Sequence, residues 1–134
     1  MNEYDPSKIK FCKDVKIGVT KNLDVRIGYY RKECHKFEYV KTWETKYPYA
    51  VEALLIKRHY KSGFFTWGSE WFGELSNDEL KKLEGDIEEI IKHYSPKELK
   101  LYLPKGARAQ RKNGFVYLGI ATKAYVTIKN GEIV

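Results

Sequence analysis

The sequence predicts an α+β fold, in which a small and mostly antiparallel sheet is flanked by helices and followed by a C-terminal β appendage. Short stretches that alternate apolar and polar residues and are rich in β-branched side chains indicate strands, and longer stretches carry apolar residues at helical spacing. The 134 residues, 43% of them hydrophobic, suffice for one domain with a core, or for a small domain plus an appendage.

The first part of the chain predicts a hairpin and a helix. Residues 9–11 are an apolar run and residues 15–20 alternate apolar and polar side chains, so both stretches are strand candidates. Lys13-Asp14 between them predicts a tight turn, although no glycine accompanies it. Asn22 is a favourable N-cap for the helix that follows, which carries Leu23, Arg26, Ile27 and Tyr30.

The middle of the chain predicts a strand over residues 37–43, then two helices with a short edge strand between them. Pro48 suits the first turn of a helix that ends near residue 60, and residues 70–72 indicate the edge strand. Ser76 and Glu79 form a capping box, and the helix after it has the most regular apolar spacing in the chain. Ser95-Pro96 predicts its end.

The last part of the chain predicts a separate unit. Residues 104–112 form a basic connector, and residues 115–118 and 124–128 indicate two strands. Asn113-Gly114 and Asn130-Gly131 are the turn signals beside them. We therefore predict a domain over residues 1–94 and a basic linker with a β-hairpin over residues 95–134.

The distribution of charge favours a nucleic-acid partner. The formal net charge is +7, and residues 95–134 carry 8 basic and 2 acidic side chains, so one end of the chain is strongly basic. Such a surface attracts polyanions by its Coulomb field and by counterion release, although a lysine-rich but inert surface is the plain alternative. No apolar run approaches the ~20 residues that cross a bilayer, and the polar N-terminus lacks the apolar stretch of a signal peptide. With two cysteines and no Cys-x-x-Cys pair, we expect a reducing, cytoplasmic setting and no membrane partner.

Several motifs resemble the GIY-YIG nuclease superfamily in content and order. Lys16-Ile17-Gly18 is similar to the second motif of the phage and viral branch, and Arg26 follows the glycine by eight residues. Gly68-Ser69-Glu70-Trp71-Phe72 resembles the closing motif of that branch, and Glu52 lies between the two motifs on a predicted helix. The resemblance extends over residues 9–93.

This resemblance implies a metal-dependent endonuclease that hydrolyses phosphodiester bonds, most simply in double-stranded DNA. It implies that Glu52 holds one Mg²⁺ (or Mn²⁺), which acts as a Lewis acid. Arg26 would neutralise charge on the phosphate, and Lys16 would help to orient or deprotonate the attacking water. Each residue also has an ordinary alternative, with Glu52 and Lys16 as solvent-facing side chains and Arg26 as one partner of a surface ion pair.

The sequence departs from the family at the first motif, where a tyrosine is expected on the strand before Lys-Ile-Gly. Tyr4 is the one tyrosine upstream, and Asp5-Pro6 follows it at once. If the strand is 9–12, the position holds Phe11 or Cys12, neither of which can act as the base. Either Tyr4 serves, or Lys16 acts alone, or the site is degraded. A degraded site predicts a protein that binds nucleic acid without cutting it, and a protein-interaction module that kept only the fold is the third hypothesis.

A second resemblance involves the basic connector. Residues 105–114, Lys-Gly-Ala-Arg-Ala-Gln-Arg-Lys-Asn-Gly, and the strands after them are similar to the opening of an apetala-type DNA-binding domain, which lays basic strands into the major groove. The resemblance implies that nucleic acid is contacted by Lys105, Arg108, Arg111 and Lys112. A solvated linker is the alternative interpretation of the same run.

Overall fold

The computed structural model of the protein describes residues 6–34, 36–59 and 71–134, and of Arg108 it describes the backbone only. The strands are β1 (Lys10–Thr20), β2 (Lys36–Thr45), β3 (Trp71–Gly73), β4 (Gly114–Tyr125), β5 (Ile128–Lys129) and β6 (Glu132–Ile133). The helices are α1 (Leu23–Glu33), α2 (Pro48–His59), α3 (Asn77–His93) and α4 (Pro96–Leu101). The predicted α+β class is confirmed. None of the helices in the described ranges is long and apolar enough to cross a membrane.

The main sheet has the strand order β2-β4-β1-β3, with every neighbouring pair antiparallel. The predicted hairpin within residues 9–20 is wrong, because these residues form the single strand β1. Lys13 and Asp14 do not turn the chain; they pair with Thr122 and Ala121 of β4. A long partner strand therefore satisfies the backbone groups that a hairpin would have satisfied locally.

Strand β4 corrects the predicted division of the chain at residue 94. It lies in the middle of the sheet, paired with β1 along its length on one side and with β2 on the other. The strand predicted at residues 115–118 thus lies within β4, in the core of the domain, whereas the one predicted at 124–128 is divided between the end of β4 and the start of β5. What remains of the appendage is the small sheet of β5 and β6, joined by a turn in which Asn130 and Gly131 both have positive φ.

Each face of the main sheet packs against helices. Val15, Ile17 and Val19 point into the larger core, which they share with buried side chains of α2 and α3. The alternate residues of β1 point to the opposite face, as the two-residue period of a strand requires. There α1 covers a smaller, aromatic core built from Tyr30, Phe37, Tyr117 and Ala121.

The helix starts confirm the predictions made from capping residues. The side chain of Asn22 accepts a hydrogen bond from the Val25 backbone N–H, and Ser76 with Glu79 forms both bonds of the capping box. Helix α2 begins at Pro48 as predicted. Helix α4, which was not predicted, starts with a second capping box between Ser95 and Glu98.

Candidate functional site

A cavity of about 230 Å³ lies between the sheet, α1 and the first turns of α2. Three of the predicted site residues meet in it: Lys16 from β1, Arg26 from α1 and Glu52 from α2. Its remaining lining residues are Gly18, Val19, Tyr30, Tyr49 and Tyr117. The convergence depends on the turn at residues 20–22, because this turn sends α1 back across the sheet face on which Lys16 lies.

A tyrosine that the sequence analysis missed, Tyr117, completes the cavity. It lies on β4 directly opposite Gly18 of the Lys-Ile-Gly motif. The Tyr117 side chain is fully buried, and its hydroxyl lies 2.5 Å from that of Tyr30. The tyrosine beside Lys-Ile-Gly therefore comes from the C-terminal part of the chain, whereas the resemblance predicts a tyrosine upstream of that motif. Tyr4, the upstream candidate, lies outside the described residues.

Gly18 is needed because of Tyr117. A Cβ added to Gly18 would lie 2.8 Å from Tyr117 Cε2 and closer still to Cζ and Oη. Any side chain at this position would displace the tyrosine ring, so the glycine of the motif provides room for a close approach. The sequence signal for Tyr117 is the run Phe115-Val116-Tyr117-Leu118-Gly119, which indicates a strand but not its partner.

Burial further favours the neutral form of two tyrosines. It raises the pKa of Tyr117 well above its usual value, and the neighbouring Tyr30 raises that pKa further, while Arg26 acts in the opposite direction. Burial also raises the pKa of Tyr39 to about 12, and the Tyr39 hydroxyl donates a hydrogen bond of 2.6 Å to the Leu23 carbonyl. Both phenols are neutral at physiological pH, so they supply hydrogen bonds and no negative charge.

Lys16 is buried and surrounded by aromatic rings. Its side chain is 8% exposed, and its ammonium lies 4.8 Å from the centroid of the Trp71 ring and 5.9 Å from that of Tyr30. Such contacts compensate part of the loss of hydration of the charge. The ammonium of Lys123 also lies over the Trp71 ring, 4.1 Å from its centroid. The alternative that Lys16 is a solvent-facing side chain is therefore wrong, because the residue is buried and lines the cavity.

Glu52 supplies the one carboxylate among the residues that line this cavity in the described part of the chain. The described residues contain no group of three or more His, Cys, Asp and Glu side chains able to hold a metal ion together. A divalent cation in this cavity would therefore have Glu52 as its protein carboxylate and water for its other ligands. That donor set suits Mg²⁺ or Mn²⁺, which keep several waters.

The four basic residues predicted to contact nucleic acid lie at different places relative to the cavities. Arg111 lines a second cavity of about 150 Å³, which adjoins the first and shares Arg26 with it. Lys105 and Lys112 are exposed and line neither of these two cavities. The side chain of Arg108 lies outside the described part, as do Gly68, Ser69 and Glu70 of the closing motif. Of the rest of that motif, Phe72 is buried in the larger core.

Comparisons of the chain with models of protein families, with curated proteins and with solved structures found no match.

Proposed function

We propose that the protein hydrolyses phosphodiester bonds of nucleic acid, most simply double-stranded DNA, in the cavity lined by Lys16, Arg26, Glu52 and Tyr117. The observation that carries this proposal is the convergence of two cations, one carboxylate and two buried phenols, those of Tyr30 and Tyr117, in a single cavity of about 230 Å³. These are the groups that such a hydrolysis requires: positive charge for the phosphate, a carboxylate for a divalent cation, and a hydrogen-bonding group for the attacking water.

Arg26 is the residue that would hold the phosphate. Arg26 is half-buried and lines the cavity, and the planar fork of its guanidinium can donate to two phosphate oxygens at once. Lys16 would add a second positive charge from the floor of the cavity. Because Lys16 is held against Trp71 and Tyr30, its ammonium is positioned before a substrate arrives, which limits the entropy lost on binding.

Tyr117, together with Tyr30 whose hydroxyl it contacts, would position the attacking water rather than remove its proton unaided. The raised pKa of Tyr117 keeps its hydroxyl neutral, and the hydrogen bond between this hydroxyl and that of Tyr30 holds both hydroxyls in place. Glu52 would hold a divalent cation, which when bound would act as a Lewis acid and lower the pKa of a water bound to it. The pair of tyrosines and the carboxylate line the same cavity, so both contributions would act on one water.

The net charge of +7 supports a polyanionic substrate rather than a small phosphodiester with a single negative charge. The binding of nucleic acid without cleavage, which the sequence also allows, needs the same cations but neither Glu52 nor Tyr117. Variants of these two residues therefore distinguish the two functions.

The test is the nicking of supercoiled plasmid DNA in the presence of Mg²⁺ or Mn²⁺. We expect metal-dependent nicking by the wild type, a fall of about 100-fold or more for Arg26→Ala and Glu52→Ala, and a smaller fall for Tyr117→Phe. The matched controls are Lys81→Ala, on the exposed surface of α3, and Tyr125→Phe, whose side chain is 46% exposed.

Two results would contradict the proposal. A wild type that binds DNA in a salt-sensitive manner but never nicks it is a binding protein. Nicking that survives in Glu52→Ala and Arg26→Ala, while the variants remain folded by circular dichroism, would place the chemistry elsewhere in the chain.

A further inference from the structure

The second cavity is a basic pocket that continues from the first. Its walls come from the end of β1, the start of α1, the start of α2 and the residues just before β4. The two cavities share Val19, Arg26 and Tyr49, so they adjoin with Arg26 at their boundary, and we call the two together the groove.

The charge of this pocket is of one sign. Lys21, Arg26 and Arg111 line it, and no carboxylate is among its lining residues within the part of the chain that the structure describes. Lys21 and Arg111 are both exposed, so a ligand reaches them from solvent. Their positive charges converge although 90 positions of sequence separate them.

The wall that carries Arg111 is anchored to the sheet. The Asn113 backbone N–H donates a hydrogen bond of 2.7 Å to the Lys46 carbonyl, and Gly114 packs closely on Pro48 and on the carbonyl of Thr20. An added Cβ at Gly114 would lie 3.2 Å from that carbonyl oxygen.

The opposite wall is also braced. The Thr20 hydroxyl donates to the Asn22 carbonyl and accepts from the Asn22 N–H, both at 3.1 Å. Lys21 lies between these two residues, so the backbone that carries each of the two cations is held in place before a ligand binds.

We infer that this pocket binds the phosphate next to the one held at Arg26 in the first cavity, so that the substrate is a nucleic-acid strand with consecutive phosphates. The inference rests on the proposed function for the identity of the first phosphate. Arg26 contacts both phosphates from the middle of the groove, and Lys21 and Arg111 hold the second one. Contacts of Lys21 and Arg111 to a phosphate would position the strand without reading its sequence directly.

The experiment measures binding of a fluorescent oligonucleotide by anisotropy in EDTA, where metal-dependent cleavage does not occur, over a series of salt concentrations. The slope of log Kobs against log salt counts neutralised phosphates, and each phosphate contributes about 0.7 to 0.9. We expect the Lys21→Ala/Arg111→Ala double variant to lose about one such unit of slope. Lys81→Ala, equally exposed but on α3, is the control and should retain the wild-type slope.

A second measurement tests the pocket locally. A dinucleotide with one internal phosphate is compared with the same dinucleotide carrying an added terminal phosphate, at its 5′ end in one ligand and at its 3′ end in another. We expect one of the added phosphates to increase the affinity of the wild type about tenfold, and the double variant to lose this gain.

The outcomes separate this inference from the proposed function. A double variant that keeps the wild-type slope and the full gain from the terminal phosphate overturns the second site, even if the protein nicks DNA. A wild type that shows neither salt-dependent binding nor a gain overturns it as well. In a third outcome, the double variant loses both the unit of salt-dependence slope and the affinity increase from the terminal phosphate, while the wild type never nicks DNA. That result supports the second site and contradicts only the nuclease proposal.

Discussion

Replacement of Gly18 by alanine tests the contact that joins the Lys-Ile-Gly strand to Tyr117. The added Cβ would overlap the tyrosine ring, which is fully buried and has other aromatic rings around it. The centroids of Tyr39, Tyr30 and Phe37 lie 5.2, 6.1 and 6.5 Å from that of Tyr117, so the ring has little space to move into. Accommodating the methyl group must therefore shift the ring or the two strands.

The size of the effect follows from two contributions. Overpacking in a closely packed core costs about 1–3 kcal/mol. Displacement of Tyr117 also weakens its hydrogen bond with Tyr30, which contributes about 1 kcal/mol. We expect the free energy of unfolding of Gly18→Ala to fall by about 2–4 kcal/mol in urea denaturation.

The control for Gly18→Ala is a glycine with space around it. Gly85 lies within α3, and an added Cβ there would meet no atom within 4 Å. Because alanine favours a helix over glycine, Gly85→Ala should raise the free energy of unfolding by about 1 kcal/mol. The two glycine substitutions should thus have opposite signs. A Gly18→Ala protein as stable as the wild type would refute the packing argument, and with it the assigned position of Tyr117.

Two further predictions concern other buried or shielded groups. His59→Ala should lower the free energy of unfolding by about 1–3 kcal/mol, because His59 Nε2 lies 2.6 Å from a carboxylate oxygen of the buried Asp86, which would lose that partner. Cys12 should react slowly with iodoacetamide at pH 9, because its hydrogen bond to Asp14 and its burial raise the pKa of the thiol to about 12. The reactive thiolate thus forms only as the pH rises towards 12, and Asp14→Asn should accelerate alkylation more than about tenfold.

Each of these predictions has a matched control. His93→Ala replaces an exposed histidine at the end of α3 and should leave stability unchanged, so equal losses for both histidines would contradict the role of the buried pair. The alkylation is measured in a Cys34→Ser background, so that only Cys12 is observed. If Cys12 then reacts at pH 9 as fast as a thiol in an unfolded peptide, the Asp14 carboxylate does not raise the pKa of the Cys12 thiol, and the prediction is wrong.

Local features of the sequence predicted most of the helices. The N-caps at Asn22 and Ser76 and the start of α2 at Pro48 were predicted because caps and first turns involve residues within four positions of each other. The wrong hairpin at Lys13-Asp14 has the same origin. A polar pair between apolar runs resembles a turn when only its neighbours are considered, whereas its cross-strand partners in β4 lie more than 100 residues away.

The residues of the site also divide into those that local sequence features identify and those that depend on the tertiary structure. Lys16, Arg26 and Glu52 were identified from the order of motifs along the chain, and the structure brings all three to one cavity. Tyr117 and Lys21 were not identified, and Arg111 was not distinguished from its basic neighbours. Their places depend on β4 lying beside β1, and strand pairing over such a distance leaves no local pattern.

By itself, the sequence determined the α+β class, the helix starts, the basic character and the three motif residues, because each of these depends on composition or on near neighbours. Only the tertiary structure decided that the C-terminal strand lies at the centre of the sheet, that Tyr117 fills the space left by Gly18, and that Arg111 joins Lys21 and Arg26. The physical reason is that β4 pairs its backbone with β1 on one edge and β2 on the other, and buries side chains in the cores on both faces of the sheet, so its place is decided by partners far away in the sequence.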